Sequence, residues 1–260
     1  MISLLRTRLR QGRRTLDLGK EPVPLPERYR GRPALQGAKC RDGCRDCAAV
    51  CPTEAIRIDP LRIDLGACLF CAACQEACPA GAVTYTADYR LAVRHRGDLL
   101  VSDTEARLAT ALDEKMRKVL GRSLKLRQVS AGGCGGCEAE LAALNNVVFD
   151  LGRFGVQFVA SPRHADGIVV TGTVTRNMER ALRETYEAVP APKLVIAVGA
   201  CAISGGPFAG AGASGDGVPA DIPVDLYVPG CPPHPLTMLD GLLRLLGRIK
   251  TGTDRPDPRS

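Results

Sequence analysis

The arrangement of its twelve cysteines is the feature that most constrains this chain. Eight of them form two runs that each end in Cys-Pro, namely Cys40-x3-Cys44-x2-Cys47-x3-Cys51-Pro52 and Cys68-x2-Cys71-x2-Cys74-x3-Cys78-Pro79. The two runs are an internal duplication, because residues 47–56 match residues 74–83. Each copy continues into a short β-rich run, at 56–58 and 83–85. The duplication predicts two similar sites built by one small module.

The second run has the spacing that bacterial ferredoxins use for 4Fe–4S clusters. Three thiolates two residues apart hold one cluster, and the fourth, on a helical turn, reaches the other cluster. The crossed rule therefore predicts two ligand sets, Cys40, Cys44, Cys47 and Cys78, and Cys68, Cys71, Cys74 and Cys51. Structural zinc is an alternative, but zinc sites do not call for runs that end in Cys-Pro. Disulfides suit a short secreted chain, and this chain of 260 residues shows no secretory signal.

The other four cysteines lie in a region where strand and helix patterns alternate, which predicts a parallel sheet covered by helices. Predicted strands lie at 124–129, 156–161, 167–172, 194–199 and 224–228, and predicted helices at 138–149, 177–189 and 235–249. Cys134, Cys137, Cys201 and Cys231 all follow strands. Ligands bind at that edge of an open parallel sheet, so we expect a third cluster there. The alternative is four buried apolar cysteines.

The chain divides into five predicted parts. Residues 1–39 form a basic arm, either an amphipathic helix against a membrane surface or a partner, or a frayed terminus, with an extended proline-rich strap at 21–26. The cysteine module occupies 40–88, and a connector with helical periodicity from 105 to 120 occupies 89–126. The parallel-sheet domain spans 127–250, and 251–260 is predicted to be a disordered tail.

Charge and composition exclude other classes of function. The formal net charge of +7 resembles that of nucleic-acid-binding proteins, but each bound cluster with four thiolates adds about −2. Aromatic residues make up only 4% and Trp is absent, which argues against base stacking. The glycine-rich stretch 205–217 lacks the Lys-Ser/Thr of a phosphate loop, so no nucleotide site is predicted. No apolar run is long enough to span a bilayer.

The first module resembles the ferredoxin-like subunit of complex I and of related hydrogenases. The second region resembles the small subunit of membrane-bound, complex-I-related nickel–iron hydrogenases, most nearly the formate hydrogenlyase type. Four stretches carry this resemblance: 134–140 (Cys-Gly-Gly-Cys-Glu-Ala-Glu), 161–166, 198–202 and 228–233, the last reading Val-Pro-Gly-Cys-Pro-Pro. The family usually has Asn in place of Gly135, and its two subunits are usually separate chains. Complex I has two adjacent cysteines where this chain has Cys134-x2-Cys137, which favours the hydrogenase branch.

The resemblance implies an α/β chain in which a two-cluster ferredoxin-like α+β module precedes a flavodoxin-like parallel-sheet domain. It implies an electron-transfer subunit with three 4Fe–4S clusters that serves a separate catalytic large subunit. The expected location is cytoplasmic and peripheral, on the inner face of the cell membrane, with membrane subunits reached through partners. We expect no nucleic acid and no nucleotide as ligands.

Three functional alternatives remain open. The complex is a hydrogenase, or a complex-I-like machine without hydrogen chemistry, or the chain is a free ferredoxin-type carrier. Glu138 is either a proton carrier or a carboxylate favoured by a helix N-terminus. His164, a lone histidine beside Arg163 and Asp166, is predicted to be structural rather than a ligand.

Overall fold

The structure of the chain is a computed structural model, and it describes residues 2–12, 14–18, 23, 25–103 and 107–249. The predicted tail at 251–260 lies outside the described residues, as do residues 21, 22 and 24 of the predicted strap. In the described part of the strap, Val23 is buried in a small cluster with Tyr89 and Leu236. Among the helices of these ranges, none has both the length and the hydrophobicity that crossing a bilayer requires.

The basic arm begins with a helix, α1 (Ile2–Gln11), as the first of the two interpretations of the arm predicts. None of its residues is buried. The large apolar side chains of this helix are 60–82% exposed, and they are Ile2, Leu4, Leu5 and Leu9. An isolated helix of this length is marginal in water, so α1 needs a surface to pack against.

The cysteine module consists of two small antiparallel sheets and two one-turn helices. Strand β1 (Pro33–Leu35) pairs with β4 (Val83–Tyr85), and the order of the second sheet is β2 (Ile56–Arg57), β3 (Arg62–Asp64), β5 (Leu100–Val101). Helices α2 (Asp46–Ala49) and α3 (Ala73–Glu76) carry Cys47 and Cys74 on buried faces. Strands β1 and β5 lie outside the predicted module bounds of 40–88.

The second region forms the predicted parallel sheet, and all five strands lie within the predicted segments or within one residue of them. They are β6 (Leu124–Ser130), β7 (Val156–Phe158), β8 (Gly167–Thr171), β9 (Leu194–Val198) and β10 (Leu226–Val228). Every pairing is parallel and the order is β10-β9-β8-β6-β7. Counted within the domain, this is the 2-1-3-4-5 order of flavodoxin-like folds.

Helices cover both faces of this sheet, which explains why every residue of β8 and β9 is buried. One face packs against α5 (Gly136–Ala143) and α8 (Pro235–Leu245), through apolar residues such as Leu141 and Leu239. The other face packs against α6 (Arg176–Ala188), through Leu182. The short helix α7 (Ala200–Ser204) follows β9 directly. The mixed α/β fold with a flavodoxin-like domain is confirmed.

The connector differs from the prediction of one helix from 105 to 120. Only α4 (Glu114–Leu120) is helical, and Asp113 caps it by accepting a hydrogen bond from the Met116 amide at 3.0 Å. Residue 105 lies outside the described residues, and the segment 107–113 is irregular. The amides of Ala109 and Leu112 in that segment bond carbonyls of Ala92 and Leu245. These tertiary hydrogen bonds outweigh the helical preference of the segment.

The two parts of the chain are packed together. The Ser204 hydroxyl donates to the Gly66 carbonyl at 3.0 Å, and Val93 and Tyr227 form a β-bridge between the parts. Gly66 is required at this junction, because a Cβ there would lie 2.7 Å from a methyl group of Ile203. The cysteine module is therefore seated on the same end of the sheet domain that carries α7.

Candidate metal centres

The structure brings four cysteines of the first module around one mostly apolar pocket. These are Cys40, Cys44, Cys47 and Cys78, which we call the outer set. Ile58, Leu61 and Ala80 supply part of the lining. Cys78 comes from the second run, and its charge acts on both Cys40 and Cys47 and raises the pKa of each, after burial. The four residues are those that the crossed rule assigns to one site.

The inner set is Cys51, Cys68, Cys71 and Cys74. The pKa of Cys68 is raised to about 11, first by burial and then by the charges of Cys74 and Cys51, against hydrogen bonds from Tyr85 and Phe70 that lower it. The pKa of Cys74 is also raised, first by burial, and Cys71 and Cys51 act on it in the same direction. Cys51, from the first run, is thus an electrostatic neighbour of cysteines from the second.

Three strand ends of the parallel sheet carry the third set, which is Cys134, Cys137, Cys201 and Cys231. Cys134 follows β6 and Cys137 lies in the first turn of α5. Cys201 lies in α7 directly after β9, and Cys231 follows β10. After burial and Glu138, the charges of the other three cysteines raise the pKa of Cys137, which reaches about 12. Residues almost a hundred positions apart therefore converge at one edge of the sheet.

Glycines make space for these sulfur atoms. A Cβ on Gly199 would lie 2.6 Å from Cys137 Sγ, and one on Gly206 would lie 3.1 Å from Cys201 Sγ. Gly135 has a φ of 87°, a left-handed conformation that Gly adopts most readily and Asn more readily than most other residues. The Asn that the related proteins usually have at this position therefore suits the same backbone.

The donor set of each site fits an iron–sulfur cluster. Four thiols share each site, and in the third set burial and then the charges of neighbouring groups, including the other cysteines, raise the pKa values of Cys137, Cys201 and Cys231, so ionising all four thiols needs a positive core among them. Thiolates are the usual ligands of 4Fe–4S clusters. Among the described residues, no three His, Cys, Asp or Glu side chains form a group suited to a single metal ion.

Glu138 is fixed beside the third set. Its Oε1 accepts hydrogen bonds from the hydroxyls of Ser130 and Thr171, both at 2.6 Å. Burial opposes ionisation of this carboxyl, but the two hydrogen bonds outweigh it and lower the pKa of Glu138. The residue is in the first turn of α5, where a negative charge is favoured. His164 is an exposed residue of a single 3-10 turn, Pro162–His164.

Four further side chains contact the sulfur atoms or hold Glu138, and the cysteine spacing does not identify them. Tyr85 and Thr53 contact cysteines of the inner set, and Ser130 and Thr171 hold Glu138. For Tyr85 the sequence does hold a signal, because Tyr85 in the second copy of the duplication matches the apolar Ile58 in the first copy. For Ser130 and Thr171 there was none, because their contact with Glu138 depends on the pairing of β6 with β8.

Comparison with known proteins matches two families to this chain. The family described as the 20 kDa subunit of NADH ubiquinone oxidoreductase matches residues 134–245. The 4Fe–4S dicluster domain family matches residues 39–82. The two families are therefore joined in one chain, and binding of 4Fe–4S clusters is supported for the first module.

Three curated relatives match about half of this chain. A subunit of the NADH-quinone oxidoreductase of Heliobacterium modesticaldum is 47% identical over 121 residues, which are 46% of this chain and 69% of the relative. Formate hydrogenlyase subunit 7 of Escherichia coli is 40% identical over 140 residues, 54% of this chain and 55% of the relative. The probable membrane-bound hydrogenase subunit mbhJ of Pyrococcus furiosus is 42% identical over 132 residues, which are 51% of this chain and 79% of the relative.

The chain thus spans only about half the length of formate hydrogenlyase subunit 7, but more than two thirds of the other two relatives. The resemblances that the sequence predicted for both halves are confirmed. The chain belongs to the family of the 20 kDa subunit of NADH ubiquinone oxidoreductase, as an electron-transfer subunit of complex-I-related oxidoreductases that carries its own 4Fe–4S dicluster domain.

Proposed function

We propose that this chain conducts electrons through three 4Fe–4S clusters to or from a catalytic large subunit of a membrane-associated nickel–iron hydrogenase. The ligands of the three clusters are the outer, inner and third sets. The observation that carries the proposal is the convergence of Cys134, Cys137, Cys201 and Cys231 at one sheet edge, beside a module with two further sets. Each cluster supplies a centre that takes up and releases one electron.

The order of the relay follows from how the two parts are packed. Arg30 donates to the carbonyl of Cys71, an inner-set residue, at 3.0 Å. Arg30 also lines a surface cleft together with Phe70 of the module and Cys231 of the third set. The inner cluster therefore adjoins the third cluster, and the outer cluster is the point at which electrons enter or leave the module.

The partner covers the third set. Cys134 and Cys231 are exposed at this edge of the sheet, so the face that carries the third set is accessible to another subunit. A large subunit seated here brings its active site close to the third cluster. The chain itself is peripheral on the cytoplasmic face of the membrane and reaches membrane subunits through its partners.

Metal analysis of the anaerobically purified chain tests the cluster assignment. We expect about twelve iron atoms and about twelve acid-labile sulfides per chain, with three reduced electron paramagnetic resonance (EPR) signals. A colourless protein, or one loaded with zinc, overturns it. Cys78→Ser should alter the outer signal and Cys51→Ser the inner one. If instead Cys78→Ser alters the EPR signal of the inner cluster and Cys51→Ser that of the outer cluster, the crossed ligand sets are contradicted.

A second function is favoured by the 47% identity to a subunit of an NADH-quinone oxidoreductase. In that case the same relay serves a large subunit without nickel and without hydrogen chemistry. The complex purified from its native membrane separates the two. Stoichiometric nickel together with hydrogen uptake supports the hydrogenase, and neither being present supports the second function. If the chain purifies as a monomer without a large subunit, both functions are contradicted, and a free ferredoxin-type electron carrier is supported.

Glu138 remains a candidate proton carrier to the active site of the partner. Its two short hydrogen bonds favour the other interpretation, that of a fixed carboxylate at the helix N-terminus. Glu138→Gln should slow proton-coupled turnover while iron content stays at the wild-type value. Unchanged turnover discards the proton role, and loss of iron from the third set identifies a positioning role.

A further inference from the structure

The duplication allows the two halves of the cysteine module to be compared residue by residue. Cys47 matches Cys74 and Cys51 matches Cys78, and the same offset gives two further matched pairs beyond these cysteines. These pairs are Thr53 with Ala80, and Ile58 with Tyr85. In both pairs one member carries a hydroxyl and the other is apolar. The effect of this chemical difference depends on which of the two cysteine sets each hydroxyl lies beside.

Both hydroxyls lie at sulfur atoms of the inner set. The Tyr85 hydroxyl is 3.5 Å from Cys68 Sγ and 3.7 Å from Cys74 Sγ, and the Thr53 hydroxyl is 3.9 Å from Cys51 Sγ. The Tyr85 ring is held in place by Phe70, with 6.1 Å between ring centroids. A cysteine that ligates iron has lost its proton, so the hydroxyls must be the donors, and the one proton of the Tyr85 hydroxyl is shared between Cys68 Sγ and Cys74 Sγ.

Their apolar counterparts line the outer set. Ile58 and Ala80 both face the pocket of Cys40, Cys44, Cys47 and Cys78. Neither side chain has a donor to offer to a sulfur atom. Arg41 and Asp46 also line that pocket, but they are exposed and opposite in charge, so their effects are screened and partly cancel.

The backbone donors do not remove this difference. The Ala55 amide donates to Cys51 Sγ at 3.3 Å, and the matching Ala82 amide donates to Cys78 Sγ at 3.2 Å. The duplicated backbone therefore gives each set matching bonds, since the Ala48 amide at Cys47 likewise matches the Gln75 amide at Cys74. The Phe70 amide adds another bond to the inner set, at 3.3 Å from Cys68 Sγ. The backbone contribution to the inner set thus acts in the same direction as the hydroxyls.

We propose that Tyr85 and Thr53 give the inner cluster a higher reduction potential than the outer cluster, so that an electron on the module resides on the inner one. A hydrogen bond to a ligating sulfur stabilises the reduced cluster, which carries one more negative charge, more than the oxidised one. The exposed guanidinium of Arg30, at the Cys71 carbonyl, acts in the same direction. This inference rests on the ligand sets of the proposed function.

The potential difference sets the direction in which an electron moves within the module. One electron leaves the outer cluster, which is oxidised, and enters the inner cluster, which is reduced, with no bond made or broken. This step is downhill because the inner cluster has the higher potential, and it brings the electron closer to the third set, which the inner set adjoins. Tyr85 is a positioning residue in this scheme, since it acts on the cluster through the sulfur atoms that hold it.

Potentiometric EPR titration of the full anaerobic chain tests the inference. Tyr85→Phe keeps the ring packed on Phe70 and removes only the hydroxyl. We expect the reduced-to-oxidised ratio of one cluster to fall about tenfold at a fixed potential, equal to about 59 mV for a one-electron couple, with the other two unchanged. Tyr186→Phe is the matched control, because Tyr186 lies on α6 against Lys193, away from every cysteine set, and should shift nothing.

A second readout does not depend on the potential. Resonance Raman iron–sulfur bands of the wild type should shift in deuterium oxide, because a bridging hydroxyl exchanges its proton, and Tyr85→Phe should lose part of that shift. The reciprocal variant Ile58→Tyr should raise the potential of a different cluster. No change in either readout for Tyr85→Phe at full iron content overturns the inference alone. Absence of clusters from the wild-type chain overturns the proposed function instead.

Discussion

Gly199 leaves the space that the sulfur atom of Cys137 occupies, since a Cβ on that glycine would lie only 2.6 Å from Cys137 Sγ. The glycine follows β9 with a φ of 89° and opens α7, which carries Cys201. One backbone position thus serves two cysteines of the third set. The close approach between strand end and sulfur atom links the parallel sheet to the candidate metal centre.

Replacing this glycine should therefore cost one cluster. Gly199→Ala adds a Cβ that displaces Cys137 and strains a left-handed backbone. We expect iron to fall from about twelve to about eight atoms per chain, with the two signals of the first module retained. Gly212→Ala is the control, because a Cβ there meets nothing within 4 Å. Full iron content in Gly199→Ala contradicts the proposed packing of the third set.

The buried ion pair of α8 should contribute strongly to stability. Asp240 and Arg244 are 3% and 1% exposed, and Arg244 Nε lies 2.7 Å from Asp240 Oδ2. Asp240→Ala leaves a buried guanidinium without this carboxylate, which costs about 3–5 kcal/mol. Anaerobic thermal melting monitored by circular dichroism should show a large fall in the melting temperature at unchanged iron content.

An exposed pair with the same helical spacing provides the comparison. Arg180 and Glu184 on α6 are 86% and 60% exposed. Glu184→Ala should therefore lower the melting temperature much less than Asp240→Ala does, because solvent screens the exposed pair. If Asp240→Ala and Glu184→Ala lower the melting temperature equally, burial of the α8 ion pair does not contribute to stability.

His234 should make stability depend on pH. Burial lowers the pKa of His234, whose Nδ1 caps α8 by accepting from the Leu236 amide at 3.2 Å and whose ring packs against Tyr29 and Phe149. His234 therefore takes up a proton more readily in the unfolded chain than in the folded chain. The stability of the fold consequently falls as pH drops below about 6.5.

The variant His234→Asn isolates this effect, because asparagine keeps a helix cap and does not titrate. Between about pH 7.5 and about pH 5.5, on either side of the ordinary histidine pKa, the melting temperature of the wild type should fall more than that of His234→Asn. Because acid also destabilises clusters, the difference between the two proteins is the quantity to compare. Parallel falls exclude a contribution from His234.

The N-terminal helix should be weakly protected in the isolated chain. Helix α1 has ten residues, none of them buried, and a helix of that length gains little stability without tertiary contacts. Hydrogen exchange at 2–11 should approach unfolded rates, whereas the amides of buried α8 should exchange slowly. Strong protection of α1 in the isolated chain contradicts the view that it needs an external surface.

Much of the fold could be predicted because the strands of the sheet have simple local patterns. Segments such as 167–171 and 194–198 are short continuous apolar runs, as expected for strands buried on both faces. The connector could not be predicted in this way. Its helical periodicity extends before residue 114, but hydrogen bonds from Ala109 and Leu112 to distant carbonyls hold that part in an irregular conformation.

The sequence alone determined the cysteine spacing, the duplication and the order of strands and helices, because covalent spacing and local periodicity are properties of neighbouring residues. Only the tertiary structure decided what surrounds the sulfur atoms. The hydroxyl of Tyr85 lies at Cys68 and that of Thr171 at Glu138, and both contacts join residues that are far apart in the chain. Such contacts depend on how strands pair and layers pack, which no local pattern encodes.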